Sequence, residues 1–141
     1  RHDGFGAEVK RRILMGNYVL SSSHRDEFFE KANHVRSAIR AEFEQAFRDV
    51  DVLISPTTST PAFKLGEMCN DPVAMYLSDY FTVPNCIAGI PALSVPCGST
   101  KSGLPIGVQF LGPRLSEELL YRVAYAYEQN TDHKIYPKGF E

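Results

Sequence analysis

The chain has no surplus of positive charge. Its 15 Lys and Arg stand against 17 Asp and Glu, a formal net charge of -2, whereas a surface that grips phosphates on its own carries a basic excess. Direct nucleic-acid binding by this segment is therefore not expected. No apolar run approaches the roughly 18 residues of a membrane span and no signal-peptide pattern opens the chain, so no membrane association is expected. Cysteines are few and odd in number, Cys69, Cys86 and Cys97. That count suits no disulfide framework and points to reduced thiols in a cytoplasmic protein. Cys86 and Cys97 read as small buried hydrophobes rather than nucleophiles, since no Cys/His pattern accompanies them. His2, His24, His34 and His133 lack the spacing of metal ligands. Lys101-Ser102-Gly103 has no accompanying Ser-x-x-Lys and reads as a polar hairpin loop. The Gly98 to Gly103 stretch has too few glycines and no following helix to cradle phosphates. Ser21-Ser22-Ser23 sits where a helix cap belongs. Internal repeats and low-complexity tracts are absent.

What is present is ordinary for a globular protein: 141 residues, 43% hydrophobic and 23% charged. That length supports one core rather than two. A helical pattern begins almost at Arg1, which gives the expectation of a fragment, residues 1–141 forming a single partial domain.

Hydrophobic periodicity predicts the elements. A first helix is expected from Ala7 to Met15, with Val9, Ile13 and Gly16 on one face and Arg12 at its edge. A cation on an apolar face is costly unless paired, which singles out Arg12 from Lys10 and Arg11. A second helix is expected from Arg25 to Arg48, capped by Ser23 with Asp26 and burying Phe28, Ala32, Val35, Ile39, Phe43 and Ala46. Val50 to Ser55 reads as a strand covered on both faces, ended by Pro56. Asp71-Pro72 starts a helix carrying Met75, Ser78, Asp79 and Thr82 along one side. Pro84 ends or kinks it, and a short helix follows over Asn85 to Ala88. Strands Ala92 to Pro96 and Ile106 to Leu111 are joined too closely for a crossover and are expected to pair antiparallel. A last helix, Ser116 to Gln129, turns Leu119, Leu120, Val123, Ala126 and Tyr127 inward. The expected class is α/β, a mixed sheet covered by helices, with an unpaired sheet edge.

Six segments occur in a telling order: GFGAEVKRRI (Gly4 to Ile13), DVLISPTTSTPAF (Asp51 to Phe63), DPVAMYLSDYFTVP (Asp71 to Pro84), GIPALSVPCG (Gly89 to Gly98), LPIGVQFLG (Leu104 to Gly112) and LLYRVAYAYEQ (Leu119 to Gln129). Together they resemble the A subunits of the glutamyl-tRNA(Gln)/aspartyl-tRNA(Asn) amidotransferases, within the amidase-signature family. The resemblance covers nearly the whole chain. It implies the C-terminal part of the amidase-signature fold and a glutaminase that supplies ammonia for converting Glu-tRNA(Gln) or Asp-tRNA(Asn) to Gln-tRNA(Gln) or Asn-tRNA(Asn).

Such enzymes use a lysine and two serines in a Gly/Ser-rich stretch, and this sequence contains no equivalent. No catalytic residue is carried over, and the chain alone is expected to be inactive. Two substrate-binding residues are implied. The second arginine of the family's KRR motif, which binds the glutamine α-carboxylate, falls at Arg12; the aspartate of its MYxxD stretch, which binds the α-ammonium, falls at Asp79. The chemistry suits both roles: a guanidinium can hold a carboxylate through two parallel hydrogen bonds, and each charged hydrogen bond contributes roughly 1.5–3 kcal/mol. Cys86 stands where the family often has asparagine, with Asn85 beside it. No cofactor is expected in this part of the enzyme, ATP and Mg being used by the partner. The implied partners are glutamine, the B and C subunits, and tRNA indirectly through the complex. Two rival readings are a stand-alone amidase of simple amides and a truncated, non-catalytic chain that binds a partner.

Overall fold

The computed structural model describes residues 4–21, 25–69 and 71–133. Their contacts divide the chain into two compact units, Arg1–Ala38 and Ile39–Glu141.

The first unit opens with α1 (Ala7–Leu20), with Glu8 in its first turn, a favourable place for a carboxylate near the helix dipole. The helix runs through Gly16 rather than stopping there. Glycine inside a helix costs about 1 kcal/mol relative to alanine, which lowers stability without forcing a stop. It ends at Ser21, whose backbone N–H and Oγ both donate to the Tyr18 carbonyl, at 3.2 and 2.7 Å. A π-helical segment, Arg25–Glu30, follows and continues into α2 (Lys31–Ala46). The expected single helix from Arg25 is thus two kinds of helix, and the Ser23 cap lies outside the described residues. The rings of Tyr18 and Phe28 lie 6.2 Å apart, joining α1 to the π-helical segment. α1 has no buried residue. The stripe expected for the Arg25 to Arg48 helix is half-buried at Ile39, Phe43 and Ala46 and exposed at Phe28, Ala32 and Val35.

The second unit is built on three strands, β1 (Leu53–Pro56), β2 (Ala92–Ser99) and β3 (Pro105–Leu111), in the spatial order β1-β3-β2. β2 and β3 form the expected antiparallel hairpin. Their connector closes through Thr100 N–H to the Leu104 carbonyl at 2.8 Å, with Gly103 at φ 84°, a conformation glycine adopts without steric penalty. The register shifts between Pro96 and Gly98.

The expectation of a mixed sheet is corrected. β1 also pairs antiparallel with β3, Ser55 lying opposite Gln109, so the three strands form a small antiparallel sheet with helices. The connection from β1 to β3 passes through two helices and β2, and a path that long leaves strand direction open. The expectation that β1 is covered on both faces is corrected as well. β1 alternates between half-buried and exposed, with Ile54 66% exposed. It has a strand neighbour on one side only among the described residues, and Pro56, which has no N–H to donate, is tolerated there.

α5 (Glu117–Gln129) covers one sheet face. Val95, Phe110, Leu120 and Ala124 form the buried core, with Val52, Leu93, Val108, Val123 and Tyr127 packed against it. Phe110 and Tyr127 meet edge to face at 5.7 Å, a geometry the ring quadrupoles favour. Ala126, expected inside, is exposed, and Ala124 takes its place. Burying a side chain such as Leu120 stabilises by about 1.5–3 kcal/mol.

Two short helices, α3 (Pro72–Leu77) and α4 (Val83–Ala88), lie between β1 and β2 in sequence. Asp71 caps α3 by accepting from Ala74 N–H at 2.9 Å. Pro84 occupies the first turn of α4 rather than ending a longer helix, a position where its missing N–H is not needed. α4 stops at Gly89, φ 71°, and Arg40 Nε, from the end of α2 that belongs to this second unit, donates to the last helical carbonyl, Ala88, at 3.1 Å. That contact satisfies one of the carbonyls a helix end leaves without an internal partner.

Candidate functional site

Arg12 lies on α1, in the first unit. Its Nε donates to Glu8 Oε1 at 2.8 Å, one helical turn back. Arg11 takes both oxygens of the same carboxylate, Nε to Oε2 and Nη2 to Oε1, each at 2.8 Å. The i,i+3 and i,i+4 spacings place all three side chains on one patch. Hydrogen bonds from Arg11 first and Arg12 second hold the Glu8 carboxyl down from its ordinary 4.5 to about 2. The Arg12 side chain is 58% exposed, and the neighbouring Val9 and Ile13 are exposed too. The cost of a cation on a buried apolar face therefore does not arise within this unit. Periodicity does not single out Glu8; its signal in the sequence is a glutamate four residues before an arginine.

Asp79 lies in the second unit, in the turn between α3 and α4 rather than on a helix. The turn is set by backbone hydrogen bonds. Asp79 N–H donates to the Tyr76 carbonyl at 3.1 Å, and the Asp79 carbonyl accepts from Thr82 N–H at 3.1 Å and Val83 N–H at 3.0 Å. The Thr82 hydroxyl adds a third donor to that carbonyl at 3.3 Å. Asp79 is exposed, so its carboxylate is reachable by a cationic ligand.

Beneath this turn lies a polar arrangement that hydrophobic periodicity does not reveal. Gln109, on the central strand β3, is only 2% exposed. Its Nε2 faces three oxygens: Phe81 carbonyl at 2.7 Å, Ser55 Oγ at 3.0 Å and Pro56 carbonyl at 3.2 Å. One side of the buried Asn85 carboxamide, on α4, meets only acceptors, the carbonyls of Thr82 and Phe81, so that side is assigned to its nitrogen, 3.3 Å from the Phe81 carbonyl. Ser55, Gln109 and Ser94 stand opposite one another in register, so the face away from the Phe110 core carries polar groups. Near the end of β1, the Thr57 and Ser94 hydroxyls meet at 2.6 Å, across Gly107. A Cβ at Gly107 would come within 2.9 Å of Thr57 Oγ1 and 3.0 Å of Ser94 Oγ. The sequence signal for Gln109 is a carboxamide inside the otherwise apolar run Ile106 to Leu111, where a buried polar group needs partners.

Among the described residues no group of three or more His, Cys, Asp or Glu could hold a metal ion. His2 and His24 lie outside those residues. Cys86, expected to be buried, is exposed, while Cys97 is half-buried; both are free thiols. No helix among the described residues is long and apolar enough to cross a membrane.

Comparison with known proteins bears on what such a site serves. A protein-family model described as Amidase matches residues 1–121. The A subunit of the glutamyl-tRNA(Gln) amidotransferase of Gloeothece citriformis is 54% identical over 97% of this chain, which covers 29% of that protein. The chain thus spans under a third of the length of the curated relatives it matches. The crystal structure of the corresponding A subunit from Thermotoga maritima shares 40% identity with a TM-score of 0.74, covering 97% of this chain and 30% of that one. An allophanate hydrolase variant from Kluyveromyces lactis is 28% identical with a TM-score of 0.66, covering 83% of this chain and 18% of that one.

Proposed function

This chain belongs to the amidase family, and from that footing we propose that it is the glutamine-holding portion of the A subunit of a tRNA-dependent amidotransferase. The observation that carries the reading is the contrast in identity: 54% to a curated amidotransferase A subunit, against 28% to an allophanate hydrolase on the same fold. That gap favours the amidotransferase over a stand-alone amidase of simple amides.

In this reading Arg12 binds the α-carboxylate of glutamine and Asp79 its α-ammonium. An amino-acid zwitterion needs one site of each sign, and holding both ends fixes the side-chain amide for attack. Glu8 steadies Arg12 through Nε, and a planar guanidinium matches the two oxygens of a carboxylate. Asp79 stands on a turn and is exposed to solvent. The nucleophile and its lysine belong to a Gly/Ser-rich stretch that this sequence does not contain, so the chain by itself holds glutamine without hydrolysing it. The ammonia released by the whole enzyme would serve conversion of a mischarged tRNA on partner B and C subunits, where ATP and Mg are used. The net charge of -2 fits a division of labour in which a partner holds the tRNA.

The test is a comparison of nitrogen donors in the assembled enzyme. Arg12→Ala and Asp79→Ala are each expected to raise KM for glutamine about tenfold or more, from the loss of a charged hydrogen bond. Amidation driven by free ammonia should persist. Equal loss with both donors would refute the clamp.

A further inference from the structure

The proposed ammonium-binding residue sits on a turn, and turns are poor places to hold a charge to a fraction of an ångström. The structure supplies a device that makes this one rigid. Gln109 comes from the middle strand of the sheet and is 2% exposed. A carboxamide nitrogen has two hydrogens to give, and the shortest of its three contacts, 2.7 Å, goes to the carbonyl of Phe81. Phe81 lies two residues after Asp79, inside the turn whose hydrogen bonds begin at the Asp79 carbonyl. Its other hydrogen is shared between Ser55 Oγ and the Pro56 carbonyl at the end of β1. One buried group therefore ties the Asp79 turn to two strands. Asn85 meets the Phe81 carbonyl as well, from α4, so the backbone following Asp79 is gripped by two amides.

We propose that Gln109 is a positioning residue for Asp79, setting the direction of that carboxylate by pinning the Phe81 carbonyl to the sheet. This rests on the reading of Asp79 as the ammonium-binding group. An apolar residue of similar size would fill the same volume; what it cannot do is donate to Phe81. Replacement of Gln109 is therefore expected to loosen the turn and weaken glutamine binding while leaving the sheet and the ammonia-driven reaction in place.

The experiment is a double-mutant cycle in the assembled enzyme, with KM for glutamine and the ammonia-driven rate both measured. Gln109→Leu alone is expected to raise KM for glutamine about tenfold or more, the scale on which misplaced binding groups act. In the Asp79→Ala background the same change should add less than about twofold, because the group it positions is already gone. A full second increase in that background would overturn the inference while leaving the Asp79 reading intact. No effect of Asp79→Ala on KM would instead overturn the reading itself.

Gln109→Glu supplies a second measurement. As a carboxylate it cannot donate to the Phe81 carbonyl; as a neutral acid it can. Burial favours the neutral form, so its KM relative to the unmodified enzyme should fall as pH is lowered from about 8 to about 6. A ratio that rises as the pH is lowered rejects the donor role. Equal loss of glutamine- and ammonia-driven reactions in both Gln109 variants would make the residue a packing element only, and the proposal would fail.

Discussion

Gly112 sits where β3 gives way to α5, and adding a single methyl there should be felt throughout the second unit. A Cβ built at that position would press on Ser116 Oγ and lie 3.2 Å from Leu120 Cδ2 and 3.3 Å from Leu120 Cγ. Ordinary carbon contacts lie near 3.5–4.0 Å. Leu120 is 2% exposed and packed with Val95, Phe110 and Ala124, so it has little room to retreat, and α5 must shift instead. Overpacking of this kind costs about 1–3 kcal/mol. Moving Ser116 also endangers its 2.6 Å hydrogen bond to the Pro113 carbonyl, about 0.5–1.5 kcal/mol more. Against this, alanine restricts the unfolded chain and recovers about 0.4–1 kcal/mol. The expected net loss for Gly112→Ala is about 2 kcal/mol, which lowers a urea midpoint by about 1 M if the slope is about 2 kcal/mol/M. Unfolding can be followed by far-UV circular dichroism and tyrosine emission, the chain having no tryptophan. Leu120→Ala alone should cost about 2–5 kcal/mol. The double variant should cost less than the sum by about 1 kcal/mol or more, because the new methyl then occupies part of the space vacated. A neutral Gly112→Ala, or simple additivity, would refute this account of the junction.

Local geometry sets three more expected outcomes. Leu115 adopts φ 62° and is 88% exposed, a left-handed conformation that suits glycine; Leu115→Gly should stabilise by about 0.5–1 kcal/mol, seen as a higher Tm. Asp71→Ala removes the cap of α3 and should cost about 1 kcal/mol, read as faster amide exchange at Ala74. The depressed Glu8 carboxyl contributes stability that is fully present above 4.5 and lost as pH falls through about 2, because the unfolded state binds the proton first. The helical signal of α1 should therefore fall between those values. Glu8→Gln should remove that step, and an unchanged acid transition would exclude Glu8 as its source.

The parts of the fold legible in the sequence are those written in local chemistry. The Asp71-Pro72 start of α3, the β2–β3 hairpin with its short polar connector and the inward Leu120 of α5 all follow from capping, connector length and periodicity. What escapes such reading depends on distant partners. The apolar residues of β1 suggest cover on both faces, yet the strand's place in the sheet is set by pairing with β3 from far along the chain. Gly16 has the look of a helix stop, but one glycine is a modest cost that the flanking turns absorb. Ser78, Asp79 and Thr82 keep helical spacing, while backbone hydrogen bonds around the Asp79 carbonyl make that residue part of a turn before α4. Arg12 and Asp79 become candidates through resemblance; periodicity can place Arg12 only at a face's edge. Gln109 and Asn85 carry the faint signal of an amide in apolar surroundings, without any indication of which carbonyls they meet.

The order β1-β3-β2 also dictates a sequence of events when the chain folds. The hairpin has only Thr100 to Leu104 between its strands and can zip on a microsecond scale, with α5 immediately downstream to shelter its apolar side. β1 must be captured across everything from Thr57 to Leu104, so its addition bears the larger loop-closure entropy and comes late. Gln109 acquires its partners on Ser55 and Pro56 only at that last docking, and a refolding experiment should find the Asp79 turn among the final regions to become protected.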